Sequence, residues 1–118
     1  MLAIYPDFSA FTYVKDVVQA LMALVKADDA VGQVLNVGGT EEITIFDLAQ
    51  KIITATGSKS KIEFIPYDKA FGKDFEDMQR RVPGIEKIKK LIDFNPKTDI
   101  DEILKQVIQF TKQEIQLV

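Results

Sequence analysis

Two adjacent arginines, Arg80 and Arg81, are the side chains in this sequence best suited to binding a ligand. A guanidinium group presents its N–H donors in a fork that matches two oxygens of a phosphate. The stretch from Arg80 to Lys97 carries six basic and two acidic residues, within a chain that is acidic as a whole. This confined cationic segment fits a small anionic ligand. It fits equally a solvated helix face that forms ion pairs with the acidic loop preceding it.

The sequence lacks the residue types that most other catalytic sites require. The sequence contains no histidine and no cysteine, which excludes nucleophile–His–acid triads, thiolate chemistry, disulfides and the usual transition-metal sites. The loop carboxylates Asp74, Glu76 and Asp77 could act as acid and base or hold a divalent ion, but a solvated loop is the simpler interpretation. The pair Gly38-Gly39 would be expected to cradle a phosphate only if a helix began directly after it.

Composition restricts the class of protein further. The chain has 118 residues, of which 47% are hydrophobic and 28% charged, as in an ordinary soluble domain with one core. Its net charge of −3 leaves no broad cationic face, so we expect no nucleic-acid partner. No apolar run is long enough to cross a bilayer and the first residues lack a signal-peptide pattern, so we expect no membrane partner and a cytoplasmic location.

Hydrophobic periodicity predicts an alternation of helices and short strands. The first helix begins at Val14, and its apolar residues lie nearly all round, which predicts cover on more than one face. Capping residues predict a second helix from Thr44 to Gly57 and a last helix that begins at Thr98. The other predicted elements are strands at Gln33–Val37 and Lys61–Pro66, a loop over residues 67–79 and a short helix over residues 85–92.

Five segments, in this order and spacing, resemble the C-terminal part of the NAD-dependent nucleotide-sugar epimerases and dehydratases, which are extended short-chain dehydrogenases. UDP-sugar 4-epimerases and UDP-glucuronate decarboxylases are the most similar members. The resemblance covers about residues 10–112 and rests on Phe11–Val18 (FTYVKDVV), Leu35–Gly39 (LNVGG), Ile43–Ala49 (ITIFDLA), Arg80–Ile85 (RRVPGI) and Leu91–Thr98 (LIDFNPKT).

This resemblance implies a small α/β substrate domain of about four helices and two to three short, partly parallel strands. We expect an irregular segment over residues 1–10 and the domain over residues 11–118. In the family, NAD and a catalytic Tyr-x-x-x-Lys pair belong to an N-terminal Rossmann domain. Neither the glycine fingerprint of that domain nor the Tyr-x-x-x-Lys pair occurs in this sequence. By resemblance, the chain binds no cofactor or metal, and on its own it is expected to be inactive.

Only some of the ligand-binding residues of the family are found at the matching positions of this sequence. One diphosphate-binding arginine falls on Ser9 here, and the second falls on Arg81, with Arg80 as the alternative if the alignment shifts by one residue. By resemblance, the aromatic side chain beside the nucleotide is Phe11. The apolar contact near the second helix is Ile45 or Ile43. The same apolar residues could instead belong to the core.

Two hypotheses follow. In the first, the chain is a truncated epimerase or dehydratase whose domain weakly binds UDP or a UDP-sugar, positions its diphosphate, and works with an NAD-binding partner domain. In the second, it is a non-catalytic module or relic without nucleotide affinity that forms a homo-oligomer through an exposed apolar face. We expect that face on the first helix and the segment Met1–Phe11, which the Rossmann domain would otherwise cover.

Overall fold

The computed structural model describes residues 8–66, 69 and 80–116, with Gln116 described by its backbone alone. The described residues form four α-helices, a 3₁₀ turn and three short strands. The helices are α1 (Val14–Leu24), α2 (Ile45–Thr56), α3 (Glu86–Ile92) and α4 (Ile100–Gln116), and the 3₁₀ turn is Asp28–Ala30. The strands are β1 (Phe8–Ala10), β2 (Glu42–Thr44) and β3 (Arg80–Arg81), arranged in one sheet in the order β2-β1-β3. Strands β1 and β3 run parallel, so the expectation of a small, partly parallel α/β fold is confirmed.

Contacts between residues divide the chain into two compact units. The first unit combines Ile43–Arg81 with the segments that end at Ser9 and begin at Leu104; the second combines Ala10–Glu42 with Val82–Ile103. Both units are therefore assembled from segments distant in sequence. Strand β1 lies within the stretch expected to be irregular, while residues 1–7 and most of the predicted loop, including Asp74, Glu76 and Asp77, lie outside the described residues.

The core of the second unit forms where α1 meets α3. Its buried side chains are Ala20, Ile85, Ile88 and Phe94, and the partly buried residues packed against them are Leu24, Leu35, Val37 and Ile92. Among the described residues, this core covers the side of α1 that carries Ala20 and Leu24. The other apolar side of this helix is exposed, so the predicted cover on more than one face is absent from the described part of the chain.

Two predicted strands are wrong as assigned. Residues 33–37 alternate as a strand would, since Leu35 and Val37 pack on the core while Val34 and Asn36 are exposed. Yet they form no strand, because no described segment pairs with them along the backbone. The Nζ atom of Lys87 donates to the carbonyl oxygen of Val34 instead, at 3.1 Å. The predicted strand Lys61–Pro66 is reduced to a single bridge at Glu63.

The ends of the helices follow local chemistry. The backbone N–H of Asp47 donates to Thr44 Oγ1 at 3.0 Å, and the left-handed Gly57 ends α2, so both predicted boundaries are confirmed. The last helix is capped one residue later than predicted, because Asp99 Oδ1 accepts from the N–H of Glu102 at 2.8 Å and takes the place expected for Thr98. Among the described residues, no helix is both long enough and apolar enough to cross a membrane.

Candidate functional site

The two arginines predicted to bind an anion lie on β3, which pairs with β1. The register places Phe8 beside Arg80 and Ser9 beside Arg81. Residues paired in this way point to the same face of a sheet, whereas consecutive residues point to opposite faces. Arg81 therefore shares a face with Ser9, and Arg80 points to the other face with Phe8. Both arginines are exposed, and only one of them can serve a ligand held on a given face.

The two apolar candidates belong to the same unit. Ile43 lies on β2, on the far side of β1 from β3, and its side chain is buried. Ile45 is the first residue of α2 and is half-buried. Its position is held by the Thr44 cap, whose hydroxyl also donates to Asp47 Oδ2 at 2.6 Å. Of the two, Ile45 is the one that can contact a ligand, while Ile43 stabilises the unit from within.

Phe11 belongs to the second unit, where it lines a cavity of about 120 Å³ with the neighbouring Thr12 and Gly39. A carboxylate oxygen of Asp16, which lines the same cavity, is buried and accepts no hydrogen bond among the described residues. The structure thus brings Arg80, Arg81, Ile43 and Ile45 together in the first unit and places Phe11 in the second.

The double glycine serves a structural purpose. The backbone N–H of Gly39 donates to Thr12 Oγ1 at 2.7 Å, so this donor is already used. A Cβ atom at Gly39 would collide with the carbonyl oxygen of Phe11, and one at Gly38 would lie 2.6 Å from Pro83 Cγ. Glycine is required here because two chain segments approach closely. Gly38-Gly39 therefore does not fit the dinucleotide cradle that NAD needs. Among the described residues, no cluster of acidic side chains could hold a metal ion either.

We expect Gly39→Ala to lower the free energy of unfolding by about 2 kcal/mol, since the added methyl group meets backbone that must shift. Denaturant unfolding followed by circular dichroism measures this loss. Gly84→Ala is the matched control, because a Cβ atom at that position would meet no other segment within 4 Å, and its stability should stay near that of the parent chain. Equal stability of the two variants would contradict the close approach at Gly39.

The pairing of Ser9 with Arg81 is the feature that sequence reasoning missed. In the sequence, Ser9 stands out only because the family motif has an arginine at this position. No local pattern connects Ser9 with Arg81, which lies more than 70 positions away. The contact between Gly39 and Thr12 was missed for the same reason. In both cases the partners meet only through the tertiary fold.

Comparison with known proteins identifies relatives across most of the chain. Residues 7–107 match the model of the family described as GDP-mannose 4,6 dehydratase. A UDP-N-acetyl-alpha-D-glucosaminuronate decarboxylase of Bacillus cytotoxicus is 36% identical over 87% of this chain and 32% of its own length. UDP-glucuronic acid decarboxylase 1 of Danio rerio is 35% identical over 91% of this chain and 24% of its own. The chain thus spans about a quarter to a third of the length of these relatives.

Solved structures share the fold. An epimerase of Methanothermobacter thermautotrophicus superposes with a TM-score of 0.84 at 23% identity, over 95% of this chain and 32% of that one. A UDP-glucuronic acid 4-epimerase of Bacillus cereus, solved in complex with UDP-glucuronic acid and NAD, gives a TM-score of 0.79 at 19% identity over 96% and 34%. At these identities the likeness establishes the fold alone.

Proposed function

Because the chain belongs to the GDP-mannose 4,6-dehydratase family of NAD-dependent nucleotide-sugar epimerases and dehydratases, we propose that it binds the nucleotide diphosphate of a UDP-sugar. The observation that carries this proposal is the register of β1 and β3. Arg81 lies beside Ser9, and these are the two positions at which the family resemblance expects diphosphate-binding arginines. This register supports a paired phosphate clamp in which one of the two guanidinium groups, that of Arg81, is present.

The retained guanidinium supports binding on one face of the sheet. Arg81 is exposed and can form a bidentate contact with phosphate oxygens, which are the acceptors that its fork fits. Ile45, half-buried at the start of α2, supplies an apolar contact for the nucleotide. Because one arginine is replaced by Ser9, the affinity for UDP is expected to be weak.

The role of such a site is to position the ligand. Holding the diphosphate fixes where the attached sugar lies, and this reduces the entropy that a later reaction step must overcome. In the family, NAD and the Tyr-x-x-x-Lys pair belong to a separate domain, and this chain is proposed to work with such an NAD-binding domain. This chain alone is proposed to be inactive.

We expect Arg81→Ala to weaken UDP binding by at least roughly tenfold, the effect of losing one charge-assisted contact. Titration with UDP followed by NMR measures the dissociation constants. Lys61→Ala is the matched control, because it removes an exposed cation of the same unit outside the strand pair, and its affinity should stay close to that of the parent chain.

Arg80→Ala separates the two alignments of the family motif. If Arg80→Ala changes the affinity for UDP only slightly, Arg81 is the residue that binds the diphosphate, since Arg80 points to the opposite face of the sheet. A loss of binding in Arg80→Ala with none in Arg81→Ala would transfer the site to Arg80. No binding of UDP to the parent chain at millimolar concentration would contradict the proposed function.

The second candidate function, a non-catalytic self-associating module, is favoured by one observation. The outer face of α1 exposes several large apolar side chains, as the second hypothesis expects. A chain that self-associates and has no affinity for UDP or UDP-glucose would support this candidate over the first.

A further inference from the structure

The chain leaves the two strands of the phosphate clamp at the same edge of the sheet, because β1 and β3 run parallel. Thr12 follows three residues after Ser9, and Pro83 follows two residues after Arg81. Both Thr12 and Pro83 lie against the same dipeptide, Gly38-Gly39. We call Thr12, Gly38, Gly39 and Pro83 the glycine junction, and it connects the two strand ends through residues that are distant in sequence.

The contacts of the glycine junction leave no room for a side chain at its centre. The backbone N–H of Gly39 donates to Thr12 Oγ1 at 2.7 Å. A Cβ atom at Gly38 would lie 2.6 Å from Pro83 Cγ and 3.5 Å from Thr12 Oγ1. The backbone of Gly38 therefore lies against both segments, the one that follows β1 and the one that follows β3. Carbon atoms at optimal separation are about 3.5–4.0 Å apart, so an added methyl group at Gly38 would displace Pro83 by roughly 1 Å.

The chain that follows Pro83 is anchored. The carbonyl oxygen of Gly84 accepts a hydrogen bond from Asn36 Nδ2 at 3.4 Å, and Ile85 is 2% exposed in the core of α1 and α3. The pyrrolidine ring also fixes the φ angle of Pro83, so this residue cannot relieve a clash by turning about that bond. Arg81, two residues before Pro83, is exposed and lies outside this core. A displacement of Pro83 is therefore expected to move Arg81.

We propose that the glycine junction positions Ser9 and Arg81 relative to each other, and so sets the spacing of the phosphate clamp. This inference rests on the proposed function and adds to it positioning residues that contact no ligand themselves. Charge-assisted N–H···O bonds are about 2.7–2.9 Å long, and a bidentate contact needs two of them at once. A shift of the Arg81 backbone therefore lowers the affinity for a diphosphate whose other contacts stay in place.

Gly38→Ala is expected to raise the dissociation constant for UDP at least about threefold, because Pro83, and with it Arg81, must move. Titration with UDP followed by NMR measures this constant on the folded chain. Gly84→Ala is the matched control, since it makes the same replacement three residues from Arg81, where a Cβ atom would meet no other segment within 4 Å. Its affinity for UDP should stay close to that of the parent chain.

Thr12→Val and Thr12→Ser test the other half of the glycine junction. Valine keeps the shape of threonine but leaves the N–H of Gly39 without its acceptor, whereas serine keeps the hydroxyl group. Thr12→Val should weaken UDP binding about threefold, and Thr12→Ser should bind UDP like the parent chain. This pair of variants carries the test should Gly38→Ala fail to fold by circular dichroism.

A double variant distinguishes positioning from a loss of stability. Ser9→Arg places a second guanidinium beside Arg81 in the strand register, and the gain in UDP affinity that it brings depends on the spacing of the two groups. This gain is expected to be at least about threefold smaller in the Gly38→Ala chain than in the Gly84→Ala chain. A loss of stability alone would leave the gain unchanged, because it acts equally with and without the added arginine.

Spectra of the ligand-free chain separate this inference from the proposed function. Without UDP, the amide resonances of Ser9 and Arg81 should shift in Gly38→Ala and stay nearly in place in Gly84→Ala. Unchanged resonances in Gly38→Ala would overturn the positioning role, as would affinities for UDP in Gly38→Ala and Thr12→Val equal to that of the parent chain. If the parent chain binds no UDP but these resonances shift, the proposed function is contradicted and the positioning of the strand ends is supported.

Discussion

Replacing Ser9 with arginine should strengthen UDP binding about tenfold or more. Ser9 lies beside Arg81 in the register of β1 and β3, so a guanidinium at this position joins the existing one on the same face of the sheet. A hydrogen bond to a charged group contributes about 1.5–3 kcal/mol when the geometry is good. Two guanidinium groups can then hold the two phosphates of one diphosphate. Titration with UDP under the conditions used for the parent chain measures the gain.

The control for Ser9→Arg carries the same chemical change elsewhere in the same unit. Ser58 is exposed in the turn after α2, and Ser58→Arg adds one positive charge away from the strand pair. If UDP were attracted only by the reduced net negative charge, both variants would bind UDP more tightly by the same factor. Equal affinities in Ser9→Arg and Ser58→Arg would therefore contradict the clamp geometry, as would a Ser9→Arg variant that binds no better than the parent.

Truncating Ile88 should cause the largest loss of stability among single substitutions in the second unit. Ile88 is fully buried in the core that α1 forms with α3. Replacing it with alanine removes apolar contacts and leaves a cavity, which together cost about 3 kcal/mol. Because small domains are stable by only about 5–15 kcal/mol, this is a large share of the total. Denaturant unfolding measures the loss, and amide hydrogen exchange locates it in the second unit.

Ile115→Ala is the matched control for Ile88→Ala, because it makes the same replacement within a helix at a residue that is 69% exposed. Its stability should change little, since alanine favours helix and few contacts are lost. Similar losses in the two variants would contradict the assignment of Ile88 to the core.

Local features of this fold could be predicted from the sequence, and non-local pairings could not. Helix α2 was correctly bounded because its start and end are decided by side chains within a few residues, Thr44 with Asp47 and then Gly57. The cap of α4 was displaced by one residue, since Thr98 and Asp99 are both capping residues and the tertiary fold selects between them. At the start of α4, the N–H of Ile100 also donates to Glu41 Oε2 at 3.3 Å. No local sequence pattern predicts this contact, because the two residues are far apart in the chain.

Strands were predicted less well for a physical reason. Residues 33–37 form a short run of strand-favouring residues, but a strand also needs a neighbour, and the run itself says nothing of where that neighbour lies. The candidate site depends on the same kind of information. Arg81 could be named from its chemistry and from a family motif, whereas its position beside Ser9 depends on the register between segments far apart in sequence.

The face of the sheet shared by Ser9 and Arg81 is proposed to bind the diphosphate of a UDP-sugar. Amide chemical-shift mapping of the labelled chain during titration with UDP tests it most directly. We predict saturable shifts concentrated at Ser9, at Arg81 and near Ile45, and their loss in Arg81→Ala. Shifts at other positions only, or none at millimolar UDP, would contradict the claim.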